Sequence, residues 1–396
     1  MLEETIRRKK GNNVTSERNT TVNVLFDLTY IDPLSVSGIK NYAMRLVYGL
    51  SKIHESKIRI LLLGTSKNHD YLRSLFPLYP IVKLNTTTIS QGQKNFYLLN
   101  RLISRRALNK ILKQNDIQTI VYPYLSYNSI STNTATSVGV VHDLQQLKIT
   151  NSAVKRFLYS QLLKRALYAV THIVTISKST TEDLQYNYPT LLKQPYVIPN
   201  GIYYLEGKEG AFDYLKPYIL NVNSLEPYKN LLTLLRSYGS ISELIPHKLV
   251  IKSRKTPYWE NIISPMISQL NLQSRVVLLE QNYTPEQMAG LYKGASLFVS
   301  PSTMEGFGYT PVEAGLQGTP VICANIPALY ETTLGLVNYY NDPMDDRALA
   351  TLILSVLNET SAAKCEHIKC EFMNNYLLEY QINKFYAFLL KANTLQ

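Results

Sequence analysis

The sequence predicts an α/β fold made of two doubly wound domains, each a parallel sheet flanked by helices. Two observations carry this. Short β-branched apolar runs alternate with helical stretches, the pattern of consecutive βαβ units. The alternation then restarts after a loop rich in Gly, Lys and Glu at residues 201–217, which places a domain boundary there. A chain of 396 residues suits two domains of ordinary size, and 45% apolar with 18% charged residues is a globular composition.

Residues 23–28 read as the first strand, followed by a Pro/Ser/Gly-rich stretch at 32–38. A helix over 42–52 comes next, with Ala43, Leu46, Val47 and Leu50 at helical spacing. Further strands are expected at 58–63, 117–122, 137–141, 169–176 and 196–198, with helices over 95–112 and 154–168. The second series has strands at 218–222, 248–252, 275–279, 296–300 and 320–323. The expected organisation is a flexible segment 1–20, a first domain 21–205 and a second domain 206–375. A last helix, about 376–396, is expected to return to the first domain.

Composition narrows the function. No apolar run approaches the roughly 20 residues of a membrane helix, and the polar N-terminus lacks the apolar region of a signal peptide. Three cysteines, Cys323, Cys365 and Cys370, lack paired ligand spacing and suit a reducing cytoplasm rather than a disulfide framework or zinc site. Residues 1–200 carry 26 Lys and Arg against 11 Asp and Glu, and residues 201–396 carry 15 against 18, giving the net +12. The first half is therefore expected to meet something anionic. No zinc spacing, RNA-binding aromatic string or helix-turn-helix accompanies that charge, so a specific nucleic-acid partner is not expected.

The strongest chemical signal is the string 305–314, EGFGYTPVEA, between an apolar strand and a helix. Two glycines at such a junction let backbone approach a ligand, and the free N–H groups of the new helix favour a phosphate. Pro311 suits the first turn. Glu305 and Glu313 flank the turn and suit a hydroxyl-rich ligand such as a sugar or ribose. Lys229 sits in a basic turn after the strand 218–222, where a fixed cation stabilises a departing diphosphate. His142-Asp143 follows a fully apolar strand end, the edge at which open α/β sheets bind ligands.

The 305–314 string resembles the Glu-x7-Glu motif of the retaining GT-B glycosyltransferases, the large group usually called family 4. The resemblance covers about residues 21–355, with its elements in family order. Residues 37–42 (SGIKNY) resemble the N-terminal glycine loop, while 140–144 (VVHDL) and 176–179 (ISKS) resemble first-domain landmarks. Residues 199–201 (PNG) resemble the interdomain element, 218–232 the donor-domain opening, and 318–321 with 324–325 the segment after the second Glu.

The resemblance implies a GT-B fold, two Rossmann-like domains facing each other across a cleft. It implies a retaining, metal-independent transferase that uses a nucleotide-diphosphate sugar and needs no cofactor. Glu305 would bind the donor sugar near the reacting carbon, and Glu313 the ribose. The N–H groups of Gly308, Tyr309 and Thr310 would hold the diphosphate, with Lys229 neutralising it, and Gly306 and Phe307 would belong to the same donor-binding loop. Gly38 would admit the first-domain loop to the phosphates, and His142 with Asp143 would line the acceptor side, with His142 also helping the reacting sugar as a catalytic residue beside Glu305 and Lys229. Where many members carry an arginine, this chain has Ser224, so a second cation falls to Arg254 or Lys255, after Ser253. The cluster Asp342, Asp345, Asp346 reads as a loop and helix cap rather than a metal site. His54, His69, His172, His247 and His367 lack partners in the pattern.

GDP-mannose or a UDP-hexose is the expected donor, and a glycan or lipid-linked saccharide of surface polysaccharide synthesis the expected acceptor. A non-catalytic GT-B partner of another transferase is the alternative. The basic amphipathic stretch 93–115, with Arg101, Arg105 and Arg106, suggests peripheral contact with an anionic membrane on its cytoplasmic face; 152–168 repeats that pattern more weakly.

Overall fold

Thirteen strands form two parallel sheets among the residues described by the computed structural model, which are 21–35, 37–84, 97–126, 129–130, 132, 134–208, 210–359 and 361–394, with side chains described outside 97–103 and 394. The segment 1–20 expected to be flexible lies outside these residues, as does the 93–96 start of the basic stretch.

The first sheet contains β1 (Val22–Asp27), β2 (Ile58–Gly64), β3 (Ile81–Lys83), β4 (Thr119–Tyr122), β5 (Thr136–Val141), β6 (His172–Thr175) and β7 (Tyr196–Val197), in the order β3-β2-β1-β4-β5-β6-β7. The second contains β8 (Tyr218–Val222), β9 (Lys248–Lys252), β10 (Val276–Leu279), β11 (Leu297–Ser300), β12 (Val321–Ala324) and β13 (Asn338–Tyr340), ordered β10-β9-β8-β11-β12-β13. β4, β5, β11 and β12 are buried along their whole length, as parallel strands covered on both faces must be. β3 and β13 were not expected. Each has three residues and is only partly buried, too short for a periodic signal.

Strand order reverses between β1 and β4 in the first sheet and between β8 and β11 in the second. In such sheets the crevice beyond the carboxyl ends of the strands at the reversal takes ligands. The loop after β1 leads into the helix Gly38–Ser51. Ser37 caps it by accepting from Lys40 N, so it starts before the expected residue 42, and Ala43, Leu46, Val47 and Leu50 are buried against the sheet. The helix Tyr97–Gln114 turns Leu108 and Leu112 into the first domain's core and leaves Arg106, Lys110 and Lys113 in solvent. The described C-terminal half of its apolar stripe is therefore packed inside the protein. No described helix is long and apolar enough to cross a membrane.

The last helix, Leu378–Thr394, lies on the first domain. A Cβ at Gly49 would fall 2.4 Å from Ile382 Cγ1, so glycine permits the helix contact. Tyr386 OH accepts from Lys57 N at 2.9 Å, and Thr119 Oγ1 donates to Asn393 Oδ1 at 2.7 Å. The two chain crossings between domains pair with each other: Ile202 N donates to Tyr376 O at 2.7 Å, and Leu378 N to Ile202 O at 2.9 Å.

Candidate active site

The loops after β8 and β11, on either side of the second sheet's reversal, bring Lys229 and Glu305 together. A 3-10 turn, Pro227–Lys229, follows β8, and Asn230 then takes a left-handed conformation (φ 55°) before the helix Leu231–Ile241. The buried Asn230 side chain fixes that turn. Its Nδ2 donates to Pro301 O at 3.0 Å and Pro343 O at 2.7 Å, and its Oδ1 accepts from Thr233 Oγ1 at 2.8 Å. Thr303 N donates to Tyr228 O at 2.8 Å and ties the two loops. Lys229 Nζ then lies 2.7 Å from Glu305 Oε1, with the two side chains only 17% and 11% exposed. Burial pulls the Lys229 ammonium down, but the Glu305 charge and hydrogen bond outweigh it and hold its pKa above the ordinary lysine value.

Beyond Glu305 the loop enters the helix Tyr309–Leu316 through Gly308, whose φ of 86° and close approach to Leu329 both favour glycine. The first-turn amides of this helix lack intrahelical acceptors, which makes them donors for an anion. The Phe307 ring does not face that opening. It is buried, 5.5 Å from the Tyr376 ring, so Phe307 can offer a ligand only its backbone.

The first domain reaches the same loop from across the cleft. A Cβ at Gly306 would lie 2.5 Å from the His142 carbonyl oxygen. Ser177 Oγ donates to Gly306 O at 3.0 Å, and Thr180 Oγ1 donates to His142 O at 3.2 Å. The Glu331 carboxylate, from the second domain, accepts from the amides of Lys178 and Ser179 at 2.6 and 2.7 Å, at the start of the helix Lys178–Asn187. His142 is buried, its Nε2–H donates to Pro123 O at 2.8 Å, and Tyr42 packs edge-on with centroids 4.7 Å apart. Burial lowers its pKa to about 4, so at neutral pH it is an uncharged imidazole with Nδ1 as acceptor. Burial, with the nearby Glu305 charge, holds Asp143 above the usual carboxylate value despite its bond from Gln145 N.

Glu313 is engaged twice: Tyr292 OH donates to its Oε2 at 2.9 Å, and Arg45 of the first domain lies 3.7 Å from its Oε1. Arg45 also sits over the Tyr309 ring at 5.4 Å, and Gly38 faces the same ring, its Cβ position 4.0 Å from Tyr309 Cε2. Lys40 organises the loop before Gly38 by donating to the carbonyls of Asp32, Pro33 and Ser35 at 2.8–3.0 Å. Ser177 lies in the 176–179 landmark, but its contact with Gly306 was not anticipated, nor were Arg45, Tyr292, Thr180 and Glu331. Their partners lie on the opposing domain or a distant element, and no local pattern marks these pairings.

Ser224 is exposed in the loop after β8. Arg254 donates to Asn282 Oδ1 at 3.0 Å and Lys255 pairs with Glu280 at 3.1 Å. Both follow β9, on the side of β8 opposite Glu305, and their partners hold them toward the loop after β10. The acidic run acts locally. Asp342 accepts from Met344 N, Asp345 accepts from Arg347 N and Ala348 N ahead of the helix Asp346–Glu359, and Asp346 pairs with Arg236 at 2.8 Å.

Residues 208–370 match the family described as Glycosyl transferases group 1. The chain is similar to the O-antigen chain mannosyltransferase RfbU of Salmonella typhimurium, 25% identical over 61% of this chain and 65% of that protein. It is also similar to the O-antigen chain mannosyltransferase B of Escherichia coli, 31% identical over 36% of this chain and 38% of that one. The match thus spans less than two thirds of either relative. Among solved structures, the sucrose-phosphate synthase of Thermosynechococcus elongatus superposes with a TM-score of 0.71 at 16% identity, over 94% of this chain and all of that one. The shared fold is GT-B, two Rossmann-like domains facing across a cleft.

Proposed function

We propose that this chain, a member of the glycosyl transferases group 1 family through residues 208–370, transfers a hexosyl group from a nucleoside-diphosphate sugar to a saccharide hydroxyl in surface-polysaccharide synthesis. The anomeric carbon leaves its phosphate oxygen and bonds to the acceptor oxygen, and the acceptor's proton departs with the nucleoside diphosphate. Mannose is the sugar we assign, because both relatives described above carry mannosyltransferase names; GDP-mannose is then the donor, with a UDP-hexose as the competing one. We assign retention of configuration, no metal or other cofactor, a glycan or lipid-linked acceptor, and work at the cytoplasmic side of a membrane.

The observation that carries the proposal is the Lys229–Glu305 pair beside the open N-terminus of the helix Tyr309–Leu316, with the His142 backbone closing on Gly306 from the other domain. Lys229 is placed to take up charge on a departing diphosphate. Glu305 accepts hydrogen bonds from sugar hydroxyls, the neutral His142 accepts at Nδ1, and Glu313 is the assigned ribose acceptor. Convergence of these groups favours catalysis over a non-catalytic partner role.

The test is calorimetric titration with GDP, UDP, ADP and dTDP and their sugars, with and without EDTA, followed by transfer assays with the donor that binds. Binding of one nucleotide unaffected by EDTA, with transfer lost in Glu305→Gln, is the expected result. Binding of none, or full transfer by Glu305→Gln, overturns the reading.

A further inference from the structure

The helix Ala153–Ala169 presents an apolar stripe to solvent. Val154, Phe157 and Leu158 are 78%, 67% and 52% exposed, and Tyr168 continues the same helical spacing. The opposite side carries Ala166 and Leu167, which are buried in the core beside β6. The stripe is thus surplus to the fold. Among the described residues nothing covers it, whereas Leu108 and Leu112 of the helix Tyr97–Gln114 are buried in the core.

Charge identifies the occupant. From residue 144 to residue 181 the chain has Lys148, Lys155, Arg156, Lys164, Arg165 and Lys178 and no Asp or Glu. Lys148 is paired with Asp183 at 2.6 Å, and the Arg156 guanidinium donates to Thr150 O at 3.0 Å, which fixes the corner between this helix and the short helix Gln145–Ile149. Lys155 and Arg165 are exposed beside the stripe. A convex apolar stripe with an aromatic ring, flanked by cations and free of carboxylates, suits the plane of an anionic bilayer, where the apolar side chains enter the headgroup region and the cations meet phosphates.

We propose that the 153–169 helix, rather than the more basic 97–114 helix, docks the first domain on an anionic lipid surface. The stripe stands only ten residues beyond His142-Asp143, on the carboxyl edge of β5. Docking there would hold the cleft close to the bilayer, where a lipid-linked acceptor lies. That last consequence rests on the transferase reading, but the docking itself does not.

Co-sedimentation of the full chain with vesicles tests it, using phosphatidylcholine alone and phosphatidylcholine with phosphatidylglycerol, at low and high salt. The expected result is binding to the phosphatidylglycerol vesicles that weakens with salt. F157S/L158S and K155E/R165E should each lose about tenfold or more of that binding while keeping the wild-type melting temperature and nucleotide affinity. Because the substituted residues are exposed, folding should survive, and the second variant decides the matter if the first does not fold. Absence of wild-type binding, or wild-type binding by both variants, overturns the proposal. Loss of self-association in F157S/L158S without loss of vesicle binding also overturns it and assigns the stripe to a protein contact.

Discussion

Replacing Gly306 with alanine tests whether the two halves of the site must touch. The new Cβ would stand 2.5 Å from His142 O and 3.0 Å from Asp143 Cβ. Ordinary contacts involving carbon begin near ~3.5 Å, so the two backbones must part by about 1 Å. Neither side yields easily, since Thr180 Oγ1 holds the His142 carbonyl at 3.2 Å and Ser177 Oγ holds the Gly306 carbonyl at 3.0 Å. Gly306 is not among the glycines of positive φ, so alanine meets this contact without added backbone strain. Overpacking costs about 1–3 kcal/mol and a lost buried hydrogen bond about 1 kcal/mol. The closed arrangement should therefore weaken by about 2–4 kcal/mol, which lowers kcat/KM for transfer by roughly 30- to 1,000-fold. Nucleoside-diphosphate binding, which uses second-domain groups, should change far less. Transfer within about twofold of wild type would refute the claim that the His142–Gly306 contact belongs to the working conformation.

Three further outcomes follow from the same geometry. Lys229→Met strands the Glu305 carboxylate, so it should destabilise the protein by about 3–5 kcal/mol and weaken diphosphate binding; adding Glu305→Gln should restore urea stability but not affinity, and equal recovery of both would count against the phosphate role. His142 has a folded pKa of about 4 against an ordinary 6.5, so the unfolded chain takes up the proton first. Its contribution is complete above pH ~6.5 and is lost as pH falls toward ~4, by at most about 3 kcal/mol, and His142→Asn should flatten that part of the stability–pH curve measured by denaturant titration. Asn230→Ala frees the Pro301 and Pro343 carbonyls and puts a Cβ-bearing residue without a polar side chain at φ 55°. It should cost about 2–3 kcal/mol, and Asn230→Gly less, in thermal unfolding; equal losses would show that the positive φ adds little and that the loss comes from the side-chain bonds, which both variants lack.

Both sheets were legible because most of their strands are buried on two faces and therefore appear as short apolar runs, as in residues 297–299. β3 and β13 escaped because three partly buried residues give no period to read. The expected strand over 169–176 contracted to His172–Thr175 because Ala169 still belongs to the preceding helix. Lys229, Glu305 and His142 could be placed because each follows a strand end, and strand ends converge on one edge. Pairings across the cleft were not legible. Arg45 with Glu313, Ser177 with Gly306 and Glu331 with the 178–179 amides depend on how two separately folded surfaces dock, and hydrophobic spacing carries no information about that. Which of the two basic helices keeps an apolar side in solvent was hidden for a related reason. The 93–115 stretch and the 152–168 stretch share a pattern, and only the sheet decides which apolar side is consumed.

The last helix has a consequence for how the protein is made. Ile382, Phe385, Phe388 and Leu389 complete the wall of the first domain, yet they are synthesised after the whole second domain. Translation from Ile202 to Leu378 takes on the order of 10–35 s at about 5–20 residues per second. Throughout that interval the nascent first domain displays the uncovered groove around Gly49 and Leu50, while the second domain, being contiguous, can fold as soon as it emerges. The polypeptide therefore matures out of order, with its beginning waiting on its end. A stop codon near residue 375 would leave the second domain nearly whole and the first with an open apolar seam for chaperones to find.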